Sequence, residues 1–175
     1  MIEARRAKYF ERDGKIVCSS PRCASTTMAV SLDQRWTDFT SHQTAETVDF
    51  EGKEVLMWLR HPFERLESTK KIFRSLSPEI FGSQLLRRYD PHWEPQIDLH
   101  SFNGIFVPTT VMRFDTLMET WPQHFPDVKL ERPLRQQPVV QRELWHVMAA
   151  AMPADMVAAI EAKYAADLAL WESLS

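Results

Sequence analysis

Residues 18–27 read CSSPRCASTT, a polar stretch of small side chains around a single arginine. A short apolar run (15–17) precedes it, and the run MAVSL (28–32) follows it. This order predicts a buried strand over 15–19, a tight turn, and a helix that begins at Ser25. A turn of this kind is compatible with three roles, which are a purely structural turn, a metal site and a phosphate site.

The composition indicates one globular domain spanning residues 1–175. Hydrophobic residues make up 44% and charged residues 26%, which are ordinary values for such a domain. The formal net charge of −3 argues against a nucleic-acid partner. No apolar run approaches the roughly 20 residues of a membrane span, and the N-terminus lacks the apolar stretch of a secretory signal. The two cysteines match neither a disulfide framework nor a zinc site, so we expect a reducing, cytoplasmic location.

Apolar runs and helical patterns alternate along much of the chain. Predicted strands are 15–19, 55–59, 105–107 and 111–114. Predicted helices are 25–36, 42–48, 62–76 and 77–89, and a helical core stripe covers 157–171. Residues 90–103 are expected to be irregular. This alternation predicts an α/β fold with a mostly parallel sheet flanked by helices.

The loop over residues 20–24 is a candidate anion site. Backbone N–H groups at the start of a helix point toward such a loop, and the helix dipole is positive there. Ser25, Thr26 and Thr27 add hydroxyl donors, and Arg22 adds a charge-assisted contact. A plain side-chain cap of the helix is the alternative explanation. The loop lacks the glycines and the lysine of GxxxxGK[ST], which argues against an ATP or GTP hydrolase.

A second arginine follows the strand at 55–59. Residues 59–68 read LRHPFERLES, and Arg60 leaves the strand at the carboxyl edge of the sheet, where open α/β sheets bind ligands. Pro62 suits the first turn of the next helix. Ser68 lies about two turns into that helix, on a side from which it can reach an anion at Arg60. Two anion sites at one edge indicate a ligand that is phosphorylated at two places.

The two motifs together resemble those of sulfotransferases that use 3′-phosphoadenosine 5′-phosphosulfate (PAPS), of the carbohydrate sulfotransferase type. In that family a PKxxST loop holds the 5′-phosphosulfate, and an RxPxxRxxS stretch holds the 3′-phosphate through its first arginine and its serine. Residues 21–26 match the first motif and residues 60–68 match the second. The resemblance implies a P-loop-like nucleotide-binding sulfotransferase fold, with PAPS as sulfuryl donor, the nucleotide PAP as product and no metal. The nucleotide-binding residues that it implies are Arg22, Cys23, Ala24, Ser25, Thr26, Thr27, Arg60 and Ser68.

Three weaker matches extend the resemblance over about residues 15–172. Residues 90–96 resemble an HWxPQ segment, 111–117 resemble a strand followed by EDL, and 160–168 resemble a closing iYxxDlxlf helix. The chain departs from the family pattern at two positions. Arg22 stands where lysine is usual, and His61 stands where aspartate or asparagine is usual. An arginine fork differs in geometry from the point charge of lysine.

Sulfuryl transfer to a hydroxyl requires positive charge near the leaving oxygen and a base for the acceptor proton. Arg22 and the hydroxyls of its loop are the candidates for the first task. Of the six histidines, His42 is the leading candidate base, because its context SHQTA resembles an H-x-T-A segment of bacterial relatives. His92 is the second candidate, because its Trp-Pro context suggests a loop that faces the substrate.

Further charged residues have less specific predicted roles. Glu64 and Glu67 are expected to form ion pairs with Arg65 and Lys71 on the helix surface rather than to act as bases. Arg135 is a candidate third contact to phosphate or adenine, because a late loop often closes over the nucleotide in the family. A solvated basic face is the alternative for Arg135.

These observations lead us to expect an enzyme of the small bacterial or phage type that moves a sulfuryl group from PAPS to a hydroxyl. A carbohydrate is the expected acceptor, and a histidine is the expected base. A catalytically inactive module that binds PAP or PAPS is the alternative, and a small-molecule kinase with a degenerate phosphate loop is a third hypothesis. We expect neither nucleic acid nor membrane as partner. The sequence does not identify the acceptor or the oligomeric state.

Overall fold

The structure, a computed structural model, describes residues 6–32, 43–44, 48–130 and 141–174. Its strands are Arg6–Arg12 (β1), Lys15–Ser19 (β2), Gln43–Thr44 (β3), Glu54–Leu59 (β4), Ser101–Phe102 (β5), Ile105–Phe106 (β6) and Thr110–Arg113 (β7). Within the described residues, five of them form a sheet in the order β3-β1-β2-β4-β7. β4 is parallel to both β2 and β7, and β1 is antiparallel to both of its neighbours. The predicted α/β fold with a mostly parallel sheet is therefore confirmed.

Helices cover both faces of this sheet. They are α1 (Ser25–Ser31), α2 (Pro62–Lys70), α3 (Pro78–Arg87), α4 (Gln96–Leu99), α5 (Leu117–His124), α6 (Gln141–Ala150), α7 (Ala154–Lys163) and α8 (Ala165–Ser173). Alternate side chains of β2 and β4 point to opposite faces. Val17 and Trp58 pack with residues of α1 and α5 on one face, whereas Ile16 and Met57 pack with residues of α4 and α8 on the other.

A third apolar cluster holds α2 in place. Leu66 of α2 packs with buried residues of α3, α6 and α7, among them Phe81, Trp145 and Ile160. Phe63 stacks on Trp145 with 4.6 Å between ring centroids. Because burial of apolar surface is the main stabilising term in folding, this cluster fixes the helix that carries the second arginine motif.

The structure corrects the predicted type of two segments. Residues 43–44, predicted to be helical, form β3, in which Gln43 and Thr44 pair with Ala7 and Arg6 of β1. The unpaired edge of β1 offers these residues hydrogen-bond partners, and tertiary pairing overrides local preference. Residues 90–103, predicted to be irregular, contain α4 and β5.

One predicted helix is also shorter than expected, and the predicted helical stripe near the C-terminus is divided between two helices. The helix that begins at Pro62 ends at Lys70 instead of residue 76, and Ile72 N–H donates to Thr69 O at 2.9 Å, an i−3 contact that tightens the chain into turns. The C-terminal stripe is divided between α7 and α8 at Tyr164. The part of the first predicted helix beyond residue 32 lies outside the described residues.

Candidate functional site

The loop between β2 and α1 contains two residues in the left-handed conformation. Arg22 has a φ of 70° and Ala24 a φ of 55°, a region that non-glycine residues rarely adopt. Cys23 N–H donates to Ser20 O at 3.1 Å and closes the turn. Ala24 occupies the cap position of α1, and no side chain caps the helix there. The purely side-chain cap that the sequence left open is therefore wrong.

The two arginine motifs meet at this loop. Arg22 Nε donates to Ser68 Oγ at 3.0 Å, and Arg60 Nη1 donates to the backbone oxygen of Arg22 at 2.9 Å. Arg22 is exposed, Arg60 is half-buried and Ser68, which accepts from Arg22, is buried. The fold thus brings together three residues from two separate segments at the carboxyl edge of the sheet.

The electrostatics of this cluster favour an anion. Partial burial of its guanidinium lowers the pKa of Arg22, and the nearby positive charge of Arg60 lowers it further. An anion between the two groups would relieve the repulsion between like charges and stabilise both charged forms. The planar guanidinium fork also matches the oxygens of phosphate and sulfate groups.

The other loop residues divide into accessible and structural ones. Ser25, Thr26 and Thr27 form the first turn of α1 and are half-buried. Cys23 is buried, and its thiol donates to Gln96 Oε1 at 3.2 Å. Burial raises the pKa of the Cys23 thiol, which therefore stays protonated inside the protein. The three hydroxyl residues remain candidates for ligand contact, whereas the side chain of Cys23 holds the loop to the interior.

Arg65 lies behind the loop and not on the helix surface as predicted. It is 1% exposed, and its guanidinium donates to three backbone oxygens, those of Pro21 at 3.0 Å, Glu94 at 2.6 Å and Pro91 at 2.7 Å. The expected surface ion pair is wrong because the side chain turns inward to these carbonyl groups. Arg65 thereby ties the first loop to the HWxPQ-like segment.

Glu67 is likewise buried, so the prediction that it lies on the helix surface is also wrong. Its Oε1 accepts from Trp145 N–H of α6 at 2.9 Å, and its Oε2 has no hydrogen-bond partner among the described residues. Burial raises the pKa of Glu67 to about 7, although the Trp145 N–H favours the charged form. This carboxyl group lies one residue before Ser68 and couples α2 to α6.

Sequence reasoning missed two other polar residues that lie behind the loops. Gln96 contacts Cys23 and Arg60, and Asp167 of α8 accepts from the backbone of α4. Burial raises the pKa of Asp167, although these backbone donors favour its charged form. The only sequence signal was their position within segments that resemble the sulfotransferase pattern.

The second candidate base has an acidic partner. His92 Nδ1 lies 2.8 Å from Asp90 Oδ1, and the backbone N–H of His92 donates to the same oxygen. The His92 backbone oxygen accepts from Thr69 Oγ1 at 2.8 Å, which connects this segment to α2 beside Ser68. The leading candidate base, His42, and the candidate ligand contact Arg135 lie outside the described residues.

Residues 6–32, 43–44, 48–130 and 141–174 contain neither a metal-binding group nor a membrane-spanning helix. No group of three His, Cys, Asp or Glu side chains in them is arranged to hold a metal ion. None of their helices combines the length and the apolar content that a membrane crossing requires.

Comparisons of the chain with protein-family models, curated proteins and solved structures found no match. The contacts of Arg22, Arg60 and Ser68 are therefore the basis for a functional interpretation. These contacts combine two guanidinium groups and one hydroxyl group, a set that suits a ligand with more than one anionic group.

Proposed function

We propose that this protein is a PAPS-dependent sulfotransferase with a P-loop-like nucleotide site built on β2, the loop and α1. The observation that carries the proposal is the contact of Arg22 with Ser68 together with that of Arg60 with the Arg22 backbone. PAPS has a phosphosulfate on the 5′ side of its ribose and a phosphate on the 3′ side. Two adjacent cationic loops suit such a ligand, whereas a nucleotide phosphorylated on one side would engage only one of them.

The proposed reaction is an in-line displacement at sulfur. The acceptor hydroxyl oxygen forms a new bond to sulfur while the bond from sulfur to the 5′-phosphate oxygen breaks, and PAP leaves. The acceptor proton passes to a histidine. Negative charge grows on the departing phosphate oxygen, and the guanidinium of Arg22 stabilises that charge.

Two histidines are candidates for the base in this proposal. Asp90 accepts a hydrogen bond at His92 Nδ1, which fixes the tautomer so that His92 receives a proton at Nε2. His42 has the stronger sequence resemblance. Variants of both residues therefore belong in the same experiment.

The test is transfer of labelled sulfate from PAPS to a panel of glycan acceptors, together with PAP binding by calorimetry. We expect the wild type to do both and Arg60→Ala to bind PAP roughly 10- to 100-fold more weakly and to transfer correspondingly less. We expect one of His42→Ala and His92→Ala to bind PAP without transfer. PAP binding without transfer to any acceptor would instead support an inactive binding module. A wild type that does not bind PAP would contradict both functions.

A further inference from the structure

A single glutamine side chain joins the two arginine loops from behind. Gln96, the first residue of α4, is 0% exposed. Its Oε1 accepts from the Cys23 thiol and from Arg60 N–H, both at 3.2 Å. Its Nε2 donates to the Arg60 backbone oxygen at 2.7 Å. The side chain therefore contacts the first loop and both backbone polar groups of Arg60 at the same time.

The contact with Arg60 takes the place of a strand neighbour. β4 pairs with β2 as far as Met57 and with β7 as far as Leu59, so Arg60 is the first residue beyond the ladder. A side-chain amide that accepts from the N–H and donates to the oxygen of one residue reproduces the pairing of an adjacent strand. Because backbone groups away from water need such partners, Gln96 fixes the Arg60 peptide in one position.

Gln96 is in turn held by the C-terminal helix. Asp167 of α8 is buried, and its two carboxylate oxygens accept from Gln96 N–H at 2.6 Å and from Ile97 N–H at 2.9 Å. The Asp167 Oδ2 also lies 3.5 Å from Gln96 Nε2. These bonds orient the amide, so a continuous set of contacts runs from α8 through Gln96 to both loops.

We propose that Gln96 is a positioning residue that sets the separation of the two loops and thereby creates a preference for nucleotides phosphorylated on both the 5′ and 3′ sides. This inference rests on the proposed function. A ligand that bridges two sites gains binding free energy from both only when the separation of the sites already matches the spacing of its two phosphates. The affinity of a ligand with one phosphate does not depend on this separation. Loss of Gln96 should therefore weaken the binding of the bridging ligand selectively.

The test compares the bridging ligand with its two halves. Direct or displacement calorimetry gives the Kd for PAP, AMP and adenosine 3′-phosphate with the full chain, for the wild type and for Gln96→Met. Methionine has a similar size and makes none of the amide hydrogen bonds. We expect the Kd for PAP to rise about tenfold and that for each monophosphate to change by less than about twofold. An unchanged Kd for PAP, or equal weakening of all three ligands, would overturn the proposal.

A second pair of variants applies if Gln96→Met does not fold. Cys23→Ala removes only the contact of Gln96 with the first loop, whereas Cys23→Ser keeps a donor for Gln96 Oε1. We expect Cys23→Ala to raise the Kd for PAP about threefold with little change for the monophosphates, and Cys23→Ser to recover most of the loss. Equal PAP affinity in Cys23→Ala and the wild type would overturn the proposal.

The result for the wild type separates this inference from the function on which it rests. A wild type that binds PAP no better than AMP overturns the proposed function and this inference together. A wild type that prefers PAP, with the same preference in Gln96→Met, overturns only the role of Gln96.

Discussion

The front of the candidate site (Arg22, Arg60) and its back (Arg65, Gln96, Asp167) use polar side chains for different purposes. At the front, Arg22 is exposed and Arg60 half-buried. Their positive charges repel each other and together favour an anion between them. At the back, Arg65 is buried and donates to three backbone oxygens. The front is where we propose that a ligand binds, and the back holds the loops through buried hydrogen bonds.

Arg60 and Arg65 make this contrast within one short segment. Arg60 follows β4 at the edge of the sheet, whereas Arg65 lies one turn into α2 and faces the interior. A charged group in the interior must have its donors satisfied by the protein. The same residue type therefore stabilises the fold at Arg65, where it is buried, and serves a ligand at Arg60 in the function that we propose.

The largest expected effect is on stability and comes from the back. Arg65→Met leaves the backbone oxygens of Pro21, Pro91 and Glu94 without their donor, and we expect the free energy of unfolding to fall by about 3 kcal/mol. Urea denaturation measures this loss. The matched control is Arg22→Met at the front, which loses the hydrogen bond to Ser68 and should lower stability by about 1 kcal/mol. Equal stability of the two variants would contradict the contrast between front and back.

The front was predictable from the sequence, and the back was not. Arg22, Arg60 and Ser68 fall in two local motifs, and the edge rule for parallel sheets predicts that such motifs meet. Gln96 and Asp167 are 71 positions apart, and their contact depends on how α8 packs against α4. No local pattern encodes such a pairing, and an arginine in a helix gives no sign of whether it faces solvent.

The fold follows the same division. β2 and β4 are short continuous apolar runs, and both were predicted nearly to the residue. β1 was missed because its sequence RAKYFER is mostly polar. A local sequence signal did exist, because an Asp-Gly pair such as Asp13-Gly14 is typical of a two-residue hairpin turn. In the structure these residues have φ values of 52° and 72° and join β1 to β2. β3 could not be predicted, because it depends on pairing with a distant edge.

The next effect in size is on ligand affinity and comes from the front. In the proposed site Arg60 makes a charge-assisted contact to the 3′-phosphate, so we expect Arg60→Ala to raise the Kd for PAP roughly 10- to 100-fold. Calorimetry checks this value. The Kd for AMP, which lacks that phosphate, should change by less than about threefold. A similar loss for both nucleotides would mean that Arg60 does not distinguish the 3′ side.

A smaller effect concerns pH and Glu67. The pKa of this group rises from 4.5 to about 7 in the folded protein, so the folded state binds more protons than the unfolded state between these values. Stability therefore falls as pH rises through this window. We expect Glu67→Gln, which has no charge to bury, to lose less stability between pH 5 and 8 than the wild type. Urea denaturation across that range measures the difference.

His100 provides an internal comparison for the same titration. Burial lowers its pKa from 6.5 to about 3, so its contribution to stability is lost as pH falls below 6.5, the opposite direction to that of Glu67. Glu67→Gln should leave the part of this acid limb below pH 4.5 unchanged, where Glu67 is protonated in both states. Identical pH profiles of the wild type and Glu67→Gln above pH 5 would contradict the burial of a charge at Glu67.

The most direct test of a two-sided nucleotide site is thermal unfolding of the wild type with PAP and with AMP at equal concentrations. PAP at one hundred times its Kd should add about 2.7 kcal/mol, which corresponds to a rise in Tm of roughly 5–10 °C for a chain of this size. We predict that rise with PAP and a much smaller one with AMP. No rise with PAP, or the same rise with both nucleotides, would contradict the assignment of Arg22, Arg60 and Ser68 to one bridging site.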